Sequence, residues 1–234
     1  MKAIDILLLN GISTKSQAKK LLQQGCVQWN GQTLYSNKEI DAGQFTCDQK
    51  ALDIHPLKYL IINKPKGCLC ANRDLKEPCL IDLLPYKDLH YVGRLDRDTT
   101  GLMIMTNDKK LRKKLTLPDY EVPKIYEFLS KEPVSAENIQ RLKEGIMIDR
   151  TVKCKSAICK MKDEKQGTIM ITEGRYHEIK KMFLSLDNHI VSLKRIAFGK
   201  ITLGDLKEGS YRFLSGKEII DLYESVGEIC NQES

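Results

Sequence analysis

Gly93-Arg94-Leu95-Asp96-Arg97-Asp98-Thr99-Thr100-Gly101-Leu102-Met103-Ile104-Met105-Thr106-Asn107 carries more structural information than any other stretch of this chain. It enters from Tyr91-Val92, passes through a charged loop and leaves in the apolar run Leu102 to Met105, so it reads as strand, loop, strand. Asp96 stands in the loop with Arg94 and Arg97 on either side. Loops held by rigid strands are where catalytic groups concentrate. Flanking guanidinium groups keep a carboxylate ionised and also bind phosphate. Taken alone, the same residues better suit a plain structural Asp–Arg turn.

Working outward, Tyr59-Leu60-Ile61-Ile62-Asn63 is a short strand that ends in the turn Lys64-Pro65-Lys66-Gly67. Asn107-Asp108 caps a helix containing Lys109, Lys110, Arg112, Lys113 and Lys114, a basic cluster suited to phosphates or simply to water. Residues 124–129 alternate as a strand after Pro123, and Ser135 with Asn138 opens a helix to Glu144 that Gly145 stops. Residues 167–172 form another strand. The run Arg175 to Phe183 starts a helix, with Ile179, Met182 and Phe183 inward. Strands follow at 191–197 and 201–203, and Ser215 to Glu218 is a capping box before a last helix over 219–226. Strands linked by hairpins, with few helices, predict an α+β domain with a mostly antiparallel sheet.

Residues 1–57 read as a separate small domain and 58–234 as the main one. Ser13 or Thr14 caps a helix through residues 15–24, with Ala18, Leu21 and Leu22 on one face, and Gly25 ends it. Asn30-Gly31 between alternating runs is the strongest short hairpin signal. Asp53 to Leu57 forms a linker, because Pro56 disfavours helix before it.

Composition narrows the class. The 234 residues are 41% hydrophobic with a formal charge of +7, which fits a globular chain with an anionic partner. The apolar run Ile6 to Leu9 is too short for a signal peptide or a membrane span. Eight scattered cysteines offer neither a CxxC pair nor zinc-ligand spacing, which fits buried thiols in a reducing cytoplasm.

The sixteen residues 93–108, G-R-L-D-x-D-T-x-G-L-x-x-x-T-N-D, resemble the catalytic motif of bacterial ribosomal RNA pseudouridine synthases of the RsuA type. Lys64-Pro65-Lys66-Gly67 resembles that family's K-P-x-G, and Pro123-Lys124-Ile125-Tyr126 its Tyr-bearing strand. Residues 173–183 resemble E-G-x-Y-H-Q-V-K-R-M-F, with Glu178 and Lys181 replacing the usual Gln and Arg. Residues 188–195 continue the match. The helix with Lys15 and Lys19, followed by G-x-V-x-x-N-G, is similar to the alpha-L RNA-binding domain, with Lys15 in place of the usual Arg. Residues 1–57 carry six lysines against five carboxylates, so RNA binding there rests on a local patch.

The resemblance implies the pseudouridine synthase fold with a central cleft. It implies Asp96 as the nucleophile, attacking ribose or base, Tyr126 as the ring that stacks on the target base, and Lys180 as the basic partner of Asp96. RNA contacts would come from Arg94, Arg97, Arg175, His177, Lys15 and Lys19. An isomerisation needs no cofactor and no metal. The implied partner is small-subunit ribosomal RNA, naked or in an assembly particle, bound by a cytoplasmic monomer. The Y-H-x-x-K-x-M-F wording favours the small subunit, since large-subunit relatives usually read N-R-Q-V-R-R-M there. The alternatives are the same chemistry on large-subunit RNA, and an RNA-binding assembly factor that has lost catalysis.

Overall fold

The computed structural model describes residues 2–10, 12, 14–40, 43–52, 54, 57–149 and 152–230. The chain divides into two compact units, Met1–Leu57 and Lys58–Ser234.

In the first unit, helices α1 (Ala3–Leu9) and α2 (Lys15–Gln23) precede strands β1 (Val27–Trp29), β2 (Gln32–Thr33), β3 (Phe45–Cys47) and β4 (Lys50–Leu52). The strands form an antiparallel sheet of order β2-β1-β3-β4. The Thr14 hydroxyl caps α2 by accepting from the Gln17 N–H. Ser13 lies outside the described residues, as do Asp53, His55 and Pro56 of the expected linker. Trp29 pairs with Gln32 across Asn30 (φ 49°) and Gly31 (φ 78°), the two left-handed residues a type I′ hairpin turn needs. Helix α1 was not foreseen. Its Ala3, Ile4, Ile6 and Leu7 pack in one core with Ala18, Leu22, Val27 and Phe45, so the amino-terminal apolar run begins in a core helix.

The second unit runs β5 (Tyr59–Lys64), β6 (His90–Tyr91), β7 (Thr100–Thr106), α3 (Lys109–Thr116), β8 (Lys124–Ser130), α4 (Ala136–Glu144), β9 (Met147–Ile148) and β10 (Val152–Lys153). It continues with β11 (Ile158–Met161), β12 (Gln166–Ile171), α5 (Glu178–Leu184), β13 (Ile190–Phe198), β14 (Ile201–Thr202), β15 (Tyr211–Phe213) and α6 (Gly216–Glu224). The main sheet has the order β11-β12-β8-β13-β7-β5-β15, with β6 beside β7 and β14 beside β13. Strands β9 and β10 form a separate hairpin. The α+β class and the mostly antiparallel sheet follow the sequence expectation.

The exception to antiparallel pairing is β13 against β7, joined in parallel at Lys194 with Thr100 and Arg195 with Gly101. Gly101 has φ +100°, and a Cβ there would lie 2.2 Å from the Arg195 carbonyl oxygen. Only glycine permits this approach. Along β5 and β7 successive side chains enter opposite cores. Leu60, Ile62, Met103 and Met105 pack with Phe128 and Phe183, whereas Tyr59, Ile61, Leu102 and Ile104 pack with Leu111 and Leu222. Both faces of these strands are covered, which explains their unbroken apolar wording.

Asp108 caps α3, one oxygen accepting from the N–H groups of Lys110 and Leu111. Its other oxygen accepts from the hydroxyls of Tyr59 (3.0 Å) and Tyr223 (2.6 Å), tying α3 to β5 and α6. Helix α5 begins at Glu178, later than expected, because His177 is left-handed at φ 55° and cannot continue a helix. No helix among the described residues is long and apolar enough to cross a membrane.

Candidate active site

The loop between β6 and β7 is held from beneath by Lys64. This side chain is fully buried, and its ammonium donates to the carbonyl oxygens of Pro65 (3.1 Å), Arg97 (3.1 Å) and Thr99 (2.8 Å). Burial pulls its pKa below the usual lysine value, and three carbonyl oxygens satisfy its three N–H donors. The Gly67 N–H donates to the Arg97 carbonyl, and the Leu95 N–H points at Cys70 Sγ at 3.5 Å. The Lys64-Pro65-Lys66-Gly67 turn thus fixes the backbone on which Asp96 stands.

Asp96 Oδ2 lies 2.9 Å from Lys180 Nζ, and Oδ1 lies 3.4 Å from His177 Nε2. Lys180, on α5, also reaches Asp98 Oδ1 at 2.6 Å. Partial burial works against the Lys180 charge, but the hydrogen bonds its ammonium donates to Asp98 and Asp96 outweigh it and raise its pKa. For Asp98, desolvation opposes ionisation and the Lys180 bond prevails, lowering its pKa. Tyr126 of β8 is 7% exposed and lines a cavity of about 70 Å³ with Asp96, Thr99, Lys180 and Leu193. Asp96 also borders an adjoining cleft of about 910 Å³, walled by Arg94, Arg112, Lys113, Arg175 and Tyr176. A carboxylate held by an ammonium, beside a buried ring, opens onto a basic cleft.

Residues 58–185 match the family model for RNA pseudouridylate synthase. The chain belongs to that family. It is 34% identical over 229 residues to the uncharacterized RNA pseudouridine synthase YtzG of Bacillus subtilis, covering 92% of this chain and 96% of that one. It is 34% identical over 215 residues to ribosomal small subunit pseudouridine synthase A of Haemophilus influenzae, covering 88% and 92%. A crystal structure of a pseudouridylate synthase, 32% identical, superimposes with a TM-score of 0.69 over 95% of this chain and 99% of that one.

Within this family member, the expected flanking role of the arginines takes another form. Arg97 pairs with Glu77 at 2.8 Å, and Arg94 lines the cleft, so the cation against Asp96 is Lys180, from a distant helix. Arg175 forks onto buried Glu173 through Nε and Nη2. His177 stacks on the exposed Tyr176 ring, centroids 3.9 Å apart. Lys15 and Lys19 lie exposed on α2 of the first unit.

Lys124 and Arg195 were not singled out as site residues, yet both border a further part of the cavity beside Tyr126. Burial, then the Arg195 charge, pulls the Lys124 pKa down to about 8. Buried Arg195 donates from Nε to the Leu102 carbonyl at 2.7 Å. The signal for Lys124 was its i, i+2 spacing from Tyr126 on one strand, which puts both on one face. Arg195 faces Tyr126 across the sheet, 69 positions later in sequence, and no local pattern reports such a pairing. Cys154, Glu173 and Glu178 bring ligand-type atoms within 4.8 Å of one another. Glu173 there accepts from Arg175 and the Lys155 N–H, and Glu178 from the Arg175 N–H, so the carboxylates brace the 173–178 loop.

Proposed function

We propose that this pseudouridine synthase isomerises one uridine of small-subunit ribosomal RNA, with Asp96 as nucleophile. The observation carrying this reading is Asp96, bonded to Lys180 at 2.9 Å in the cavity that Tyr126 lines. The target uridine leaves its stack, since a stacked nucleotide keeps its glycosidic bond out of reach. The Asp96 carboxylate forms a covalent adduct with the nucleotide, at ribose or base, as the N1–C1′ bond breaks. The freed uracil turns on the Tyr126 ring, C5 bonds to C1′, the bond to Asp96 breaks and returns the free carboxylate, and the C5 proton leaves while N1 gains one. Atoms balance with no cofactor or added group. Lys180 aims the carboxylate through its 2.9 Å contact.

In the same reading the first unit is an alpha-L RNA-binding domain that orients the substrate through Lys15 and Lys19. Arg94, Arg97, Arg175 and His177 contact the strand around the flipped base, in a cytoplasmic monomer. The small-subunit names of relatives such as the Haemophilus influenzae protein, together with Tyr176-His177 and Lys180, support this choice of substrate. Carbodiimide mapping of pseudouridine in all stable RNAs of the source bacterium, with and without the gene, tests it. The gene-less strain should lose one small-subunit site. Loss of a large-subunit or tRNA site instead would refute the substrate.

A further inference from the structure

Thr99 is 2% exposed, and its backbone is fully engaged. Its N–H donates to the Asp96 carbonyl (3.1 Å), and its own carbonyl accepts from Lys64 Nζ (2.8 Å). Its hydroxyl has no hydrogen-bond partner. Among the described residues it is the only buried side-chain nitrogen or oxygen in that state. Such an atom is costly in a folded protein, and a valine of the same shape would remove the cost. Thr99 also lines the small cavity with Asp96 and Tyr126.

We propose that the Thr99 hydroxyl is a substrate contact that finds its missing partner in the target nucleotide. A hydroxyl both donates and accepts, and the uracil carbonyls, imide N–H and ribose hydroxyl all offer a match. The contact rests on the proposed uridine chemistry and adds a residue to it. Thr99→Val and Thr99→Ser, compared by thermal unfolding and by single-turnover pseudouridine formation, test it. Thr99→Val should unfold no lower than wild type, since it loses no internal hydrogen bond, while kcat/KM falls about ten- to a hundredfold. Thr99→Ser should stay within about fivefold of wild type. A Thr99→Val protein with activity within twofold, or with a lowered unfolding temperature, overturns the contact. Wild-type protein that forms no pseudouridine overturns the chemistry and the contact with it.

A separate groove of about 630 Å³ is bordered by Asp98 and Lys180 and not by Asp96. Lys160, Thr168, Glu127, Lys194 and Thr100 stand in register beneath it across β11, β12, β8, β13 and β7. Exposed Lys66, Lys160, Lys162 and Lys194 line it, and none forms an ion pair among the described residues. We infer that this groove takes the phosphates of the RNA strand leading away from the target uridine. The lysines outnumber the two carboxylates of the channel, Asp98 and Glu127, and an excess of cations on one channel attracts a polyanion, while Lys180 lines both the channel and the catalytic cavity. Lys160→Glu with Lys194→Glu should weaken RNA binding, followed by anisotropy, at least tenfold and flatten its salt dependence. A charge-matched control, Lys143→Glu with Lys217→Glu, should change binding less than threefold. Equal loss in both pairs would mean bulk charge alone, and no loss in either would mean a solvated face; each overturns the groove. Binding is measured without turnover, so this outcome is independent of whether the chemistry is assigned correctly.

Discussion

Lys180 holds two carboxylates of unequal standing. Asp98 is 60% exposed and screened by water, whereas Asp96 is 24% exposed, so the Asp96 pair keeps more of its electrostatic strength. The Lys180–Asp98 bond persists through the neutral range. Lys180, raised, stays protonated beyond the ordinary lysine value, and Asp98, lowered, stays ionised below the ordinary carboxylate value. The Lys180–Asp98 contribution to stability is thus lost as pH rises through the Lys180 value or falls through the Asp98 value. Lys180→Met leaves Asp96 without its cation and should lower kcat about a hundred- to a thousandfold, measured under saturating RNA. Lys180→Arg, which keeps the charge, should recover part of the loss. A Lys180→Met enzyme with unchanged kcat would remove Lys180 from the catalytic reading.

At the scale of elements, the start of α6 shows how one carboxylate serves two purposes. Glu218 accepts from the Ser215 N–H in the capping box and forks onto Arg212 of β15. Arg212 first, with the Ser215 N–H, brings its pKa down to about 2 against the opposing effect of burial. A lowered carboxylate stabilises above its unfolded value and loses that contribution as pH falls through the folded one. Glu218→Gln should therefore cost about 2 kcal/mol in denaturant melts at pH 7, with the gap closing between about pH 4.5 and 2. A pH-independent gap would mean the cap acts through shape alone. The capping box, the Asp108 cap and the Asn30-Gly31 turn were legible because each is a short-range device whose partners lie within a few residues. The start of α5 was misread because its apolar spacing masks the left-handed His177. The site was legible only in part. Lys180 and Asp98 are 82 positions apart, and Lys64 reaches carbonyls more than 30 positions away, contacts that follow from sheet order and not from local pattern.

For the whole molecule, the charge of +7 is spread over two units, and the basic cleft beside Asp96 concentrates part of it. Neutralising phosphates releases counterions, so RNA affinity should fall about fifty- to two-thousandfold between 50 and 200 mM salt for about four to six contacts. A flat response in filter binding would leave stacking as the main contact. Removing residues 1–57 leaves the second unit with its own two cores, so that fragment should keep a cooperative melt while losing affinity for structured RNA. A fragment that binds as tightly as the full chain would deny the first unit its recognition role.

In the proposed chemistry the carboxylate of Asp96 drives uridine isomerisation, and release of tritium from RNA labelled at uracil C5 reports that reaction. Wild-type protein should release label stoichiometrically with the target uridine. Asp96→Asn, which keeps size and hydrogen bonding but loses the nucleophilic charge, should fall by at least about a thousandfold with RNA affinity retained. Release by Asp96→Asn within tenfold of wild type would mean that Asp96 is not the nucleophile.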